Sequence, residues 1–151
     1  MGVLGKMEVE VDIKLSADKL FRLWASKPYH AVDILPHKYQ SCELLEGEFG
    51  QPGSVVLWTW FLDGKKRSDK GIFEVLDYEN KLLRFKITEG SILQEYKRFT
   101  VITQVMEKGA TTTEKWAVEF EKFNDYGPYP NNLMDFFIGV TRDIEAYYLK
   151  E

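Results

Sequence analysis

From Lys6 to Leu15 the chain alternates without a break. Met7, Val9, Val11, Ile13 and Leu15 are apolar, and the residues between them are charged. A period of two is the pattern of a strand with one face buried and one in water. At Ser16 the pattern changes. Ser16 is placed to cap a short helix, Asp18 sits in its first turn, and Leu20, Phe21, Leu23 and Trp24 give it an apolar side. Ser26-Lys27-Pro28 breaks that helix. A second is predicted from about residue 28 to Ile34, stopped by Pro36.

From there to about residue 121 nearly everything reads as strand. The runs are YQSCELLE, VVLWTWF, SDKGIFEVLD, LLRFKIT, a long strand over residues 93–107, and TTTEKWAVEFEK. Between them stand the turn signals EGEFGQPGS, DGKK, YENK, EG and KGA, as expected for consecutive antiparallel hairpins. Alternation assigns faces. Val56, Trp58 and Trp60 share one side of the third strand. On the fourth, Phe73 and Val75 oppose Glu74; on the fifth, Leu83, Phe85 and Ile87 oppose Arg84 and Lys86. On the sixth, Phe99, Val101, Thr103 and Val105 oppose Thr100 and Gln104, with Thr103 a polar minority on the inner face. On the seventh, Trp116, Val118 and Phe120 oppose Lys115, Glu119 and Glu121.

The last element is helical. Asn131 or Asn132 is placed to cap it after Pro130, with Asp135 in the first turn. Leu133, Phe136, Phe137, Val140, Ile144, Tyr147 and Tyr148 fall on one arc. The order is strand, two short helices, six strands, one long helix, in a single domain over residues 1–151. That is α+β: a seven-stranded antiparallel sheet that must curve strongly to cover one helix.

Aromatic residues make up 15% of the chain, which is high, so the rings need a core or a site to occupy. Trp58 and Trp60 on one strand face pose the question directly: they either fill a solid core or line a hollow one. Pattern alone leaves both open. The net charge of −4 and the lack of a basic stripe argue against nucleic acid. Lys65, Lys66 and Arg67 read as a solvated hairpin tip. Cys42 is the single cysteine, which excludes an internal disulfide, fits a reducing compartment, and packs as a small apolar residue. No apolar run reaches the length of a membrane span and the N-terminus lacks a signal peptide's apolar block, so a soluble, cytoplasmic protein is expected, with no membrane partner. The charged outer faces predict a monomer. His30 and His37 lack a third ligand for a metal, and no cofactor is expected. For acid–base chemistry the best candidates are Glu95, Tyr96 and Lys97 at the start of the sixth strand. The competing reading is a strand end with solvated charges.

The stretches LLEGEFGQPGSVVLW, DGKKRSDKGIFEVLDYENKLLRFKITEG, EYKRFTVITQV and LMDFFIGVTRDIEAYYLK, in this order, resemble the major latex proteins of the birch-pollen-allergen (Bet v 1-like) superfamily. The resemblance covers essentially the whole chain. It implies a helix-grip fold, with two short helices closing one end of a curved sheet around the C-terminal helix. It also implies an internal cavity for a hydrophobic small-molecule ligand of lipid, sterol, flavonoid or alkaloid type, and a role in plant defence or stress. On that basis the cavity would be lined by Leu23, Val56, Trp58, Trp60, Phe73, Leu83, Phe85 and Ile87. Phe99, Val101, Trp116, Val118, Leu133, Phe136, Phe137 and Val140 would complete it, with His30 and Ile34 at its entrance. The alternative implied by enzymatic relatives is an isomerase, cyclase or condensing enzyme using the same cavity. The loop EGEFGQPGS spreads its glycines apart and lacks a helix N-terminus, so it reads as a turn and not a phosphate cradle. The loops FLDGKK and TEGSIL match neither gate motif of the hormone receptors that share this fold.

Overall fold

In the computed structural model, which describes residues 2–150, strand β1 (Val3–Ile13) pairs along its whole length with β7 (Thr111–Lys122). Between them in sequence lie β2 (Tyr39–Glu46), β3 (Val55–Leu62), β4 (Lys65–Asp77), β5 (Leu82–Gly90) and β6 (Arg98–Lys108). All seven form one antiparallel sheet in the order β1-β7-β6-β5-β4-β3-β2, so every consecutive pair from β2 to β7 is a hairpin. The open ends are β1 and β2. Helices α1 (Ala17–Ser26) and α2 (His30–Ile34) connect those two edges, and α3 (Asn131–Leu149) lies against the sheet, touching β1, β3 and β7. This is the expected helix-grip arrangement.

Local chemistry sets the boundaries. Ser16 caps α1 by accepting a hydrogen bond from Lys19 N at 3.1 Å. Helix α2 is shorter than the sequence predicts, starting at His30 and not at residue 28. The β3–β4 turn is tighter than predicted. Asp63 and Gly64 both take positive φ, 53° and 77°, as a two-residue hairpin loop requires, so Leu62 pairs directly with Lys65. The basic triplet therefore lies within β4 rather than at a tip. Lys65 and Lys66 are exposed, while Arg67 folds inward over the Trp60 ring, 5.2 Å from its centroid.

Two further corrections bear on the site. In β4 a bulge falls between Phe73 and Val75, so the alternation slips and Leu76, not Val75, becomes the next buried residue. The sixth strand does not begin at residue 93. Residues Ile92–Gln94 form a 3₁₀ turn, and β6 starts at Arg98. The cause is Asp69, whose carboxylate takes Ile92 N–H at 2.8 Å and Ser91 Oγ at 2.7 Å, turning the chain back toward β4. At α3, neither Asn131 nor Asn132 is the cap; Pro130 stands there, and Asn132 Nδ2 instead donates to Asp63 of the β3–β4 turn at 3.2 Å.

Candidate functional site

Helix α3 turns Leu133, Phe136 and Phe137, three and four residues apart, toward the concave face of the sheet. There they meet the rings delivered by alternation from the strands. Phe137 stacks flat on Trp116, with centroids 4.3 Å apart and an interplanar angle of 4°. Trp24 of α1 meets Trp116 edge-on at 5.6 Å. Phe136 is contacted by Trp60 at 5.2 Å and by Tyr39 at 5.7 Å, and Tyr39 also tilts against Trp58 at 4.9 Å.

These rings fill most of the space but not all of it. A cavity of about 100 Å³ remains between α3 and the sheet. The interior is thus partly solid and partly hollow. Of the residues expected to line it, Trp58 and Trp60 stand on β3, Phe73 on β4, and Leu83, Phe85 and Ile87 on β5. Val101, Trp116, Leu133, Phe136 and Phe137 close the remaining sides.

Five expected lining residues do not reach the cavity. Val56, Val118 and Val140 are fully buried away from the cavity, and Leu23 is buried on α1. Phe99 is spent on a separate cluster, 5.2 Å from Tyr96 and 6.3 Å from Phe120. Neither proposed entrance residue is on the wall. His30 lies at the surface with Nδ1 3.4 Å from Asp33, and Ile34 is buried. The acid–base candidates are also elsewhere. Lys97 is exposed and faces Glu121 at 3.7 Å, and Glu95 is exposed and faces Arg67 at 3.4 Å. Tyr96 does turn inward, but its hydroxyl donates to Pro128 O at 3.1 Å, and burial pushes it up to about 12.

The wall also holds residues that sequence reasoning passed over: Trp24, Tyr39, Asp69 and Ile92. Thr103 completes its polar part. Asp69 is 2% exposed and accepts three hydrogen bonds, since Trp60 Nε1 donates to it at 2.8 Å beside the Ser91 and Ile92 bonds. Behind Thr103 lies Glu114, with no exposure at all. Its carboxyl accepts Thr103 Oγ1 at 2.6 Å and Thr141 Oγ1 at 2.7 Å, and Thr141 in turn accepts Trp116 Nε1 at 2.8 Å. Burial pushes Glu114 up to about 7, against the opposing pull of those hydrogen bonds. Trp24 Nε1 approaches the same carboxyl but is left without a partner at hydrogen-bond geometry. Tyr39 is pushed upward as well, by burial first and then by the charge on Glu114. Cys42, packed beside the wall, is raised to about 12 by burial. Both buried acids could have been found by reading the alternation further back: Glu114 is two residues before Trp116, and Asp69 four before Phe73.

Phe136 has a second role. It also borders an outer recess formed by Pro36, His37 and Lys38, the β3–β4 turn and the first turn of α3. Its ring thus borders both the cavity and that recess. Lys38 Nζ stands 5.1 Å from that ring on the outer side and 4.0 Å from Asp143. Among the described residues no group of three or more His, Cys, Asp or Glu could hold a metal, and no helix is long and apolar enough to cross a membrane.

Known proteins share this architecture. The model of the pathogenesis-related protein Bet v 1 family matches residues 2–151. MLP-like protein 31 of Arabidopsis thaliana is 37% identical, over 97% of this chain and 87% of its own length. MLP-like protein 43 of the same plant is 35% identical over 99% of this chain and 96% of its own. The crystal structure of ginseng major latex-like protein 151 from Panax ginseng superposes with a TM-score of 0.95 at 36% identity, covering 98% of this chain and 99% of that one. Sequence and architecture together make this chain a member of the Bet v 1 family, among its major latex proteins.

Proposed function

We propose that the chain binds a small hydrophobic molecule in the cavity between α3 and the sheet, as a carrier or sink in a plant's defence or stress response. The observation that carries this is the cavity itself: about 100 Å³ walled mainly by aromatic and aliphatic side chains. Apolar cavities of roughly that size stay dry and take single-ring guests. Sites for drug-sized ligands run to about 300 Å³ or more. A ligand much larger than one ring system would have to displace Phe136 toward the outer recess. The family's description as pathogenesis-related supports the defence setting. Charged outer strand faces support a monomer, and the lone Cys42 supports a cytoplasmic location.

The test is a titration with indole, a neutral single ligand of suitable size, followed calorimetrically. Saturable one-to-one binding is expected. Leu133→Trp, which fills the space from α3, should abolish it while leaving the circular dichroism spectrum unchanged. Equal binding by the filled variant would refute the assignment.

A further inference from the structure

We propose that the cavity is selective for ligands that carry a positive charge, with the buried Glu114 as their counter-charge and the aromatic walls as their cage. This rests on the cavity reading above and deepens it.

The charges in and around the cavity are unevenly matched. No lysine, arginine or histidine lines it, whereas Asp69 does. Asp69 has its answer within the protein: Ser91 Oγ bonds its carboxylate, and Arg67 Nε donates to the same Ser91 Oγ at 2.9 Å. Glu114 has none. The groups that face it are Thr103 from β6, Thr141 from α3, Trp116 on its own strand, Trp24 from α1 and Tyr39 from β2. All are neutral, and none of the described ion pairs includes it. Keeping that carboxyl ionised in the interior without a cation is costly, and a bound cation would offset the cost.

The cavity lies on the near side of Thr103, the hydroxyl that shields Glu114 from it. A guest against Thr103 is one side chain away from the carboxyl, in a setting where water does not screen the attraction. The rings of Trp24, Trp58, Trp60, Trp116 and Phe136 also line the cavity. A ring that presents its face to the space favours an organic cation such as a quaternary or protonated amine. Only two hydroxyl hydrogen bonds, from Thr103 and Thr141, are made to the carboxyl, which leaves it acceptor capacity beyond them.

Phenyltrimethylammonium and tert-butylbenzene have nearly the same shape and differ in charge, so they isolate the effect. Affinities are measured by calorimetry at about pH 8, where Glu114 is ionised, for the native chain and Glu114→Gln. The expected result is that the substitution weakens the cation at least tenfold and leaves the neutral compound within twofold. An equal effect on both, or on neither, would overturn the proposal while the cavity stands. Failure of the cation to bind a native chain that takes up indole would overturn this inference while the cavity stands, and failure of indole as well would remove the cavity reading with it. A measurement that needs no variant uses benzenesulfonate: the native chain should bind the cation at least tenfold more tightly, and parity would overturn the inference.

Discussion

Trp116 of β7 and Phe137 of α3 lie face to face, 4.3 Å between ring centroids, and this stack ties the C-terminal helix to the strand next to the β1 edge. Phe137 is 6% exposed, so its ring is part of the packed fraction of the interior. Phe137→Ala should therefore cost about 3–5 kcal/mol of stability, as deletion of a buried aromatic ring does. Trp58 is only half-buried, and Trp58→Ala should cost less. Urea unfolding of the two variants ranks them; equal costs would contradict the packing described.

The Glu114 carboxyl is raised from the usual 4.5 to about 7 in the folded chain. Between those values the folded chain holds a proton that the unfolded chain has released. Its contribution to stability is thus fully present below about pH 4.5 and is lost as the pH rises to about 7. At about 1.4 kcal/mol per tenfold, the loss is on the order of 3 kcal/mol. Glu114→Gln has no proton to lose. Thr141 Oγ1 can turn its hydrogen to Phe137 O, at 3.1 Å, and accept from the introduced amide. The variant should match the native chain near pH 4.5 and exceed it by up to that amount above pH 7. Denaturation at a series of pH values checks both the sign and the window.

Asp69→Ala would strand three donors at once: Trp60 Nε1, Ser91 Oγ and Ile92 N–H. At about 1–3 kcal/mol for each buried group left unpaired, the variant should be among the least stable single changes in the chain. The 3₁₀ turn should loosen first, seen as faster amide exchange at Ile92. Asp69→Asn, which keeps an acceptor, should fall between.

Gly90 is held at φ +133°, and a side chain there would meet Ser68 O and lie 2.6 Å from Asp69 Cα. Gly90→Ala should cost more than about 1 kcal/mol and disturb the Asp69 bonds. A lowered melting temperature with a changed Trp60 fluorescence is the expected pair of observations.

The strands and most inward ring positions were legible where one face of a strand is wetter than the other, as on β5, where Leu83, Phe85 and Ile87 are buried against Arg84 and Lys86. What alternation misses is where it slips and how far it extends. The bulge after Phe73 moves burial to Leu76, and the turn at Ile92 shortens the sixth strand; the first depends on the pairing with β5 and the second on the bonds made by Asp69. Val56, Val118 and Val140 face inward just as Trp116 does, and only the placement of α3 decides which of them border empty space. Glu114 and Asp69 follow the inward period, but charged side chains are rarely buried, so the period alone does not single them out.

Because one ring, Phe136, borders both the cavity and the outer recess, a guest can leave by that side only when the ring swings. That ring is held by Trp60, Tyr39 and Phe137 within and by Lys38 without. Exchange through this side would then be timed by the protein and not by the guest. Chemically different molecules would share nearly one association rate, and their residence times would carry the differences in affinity.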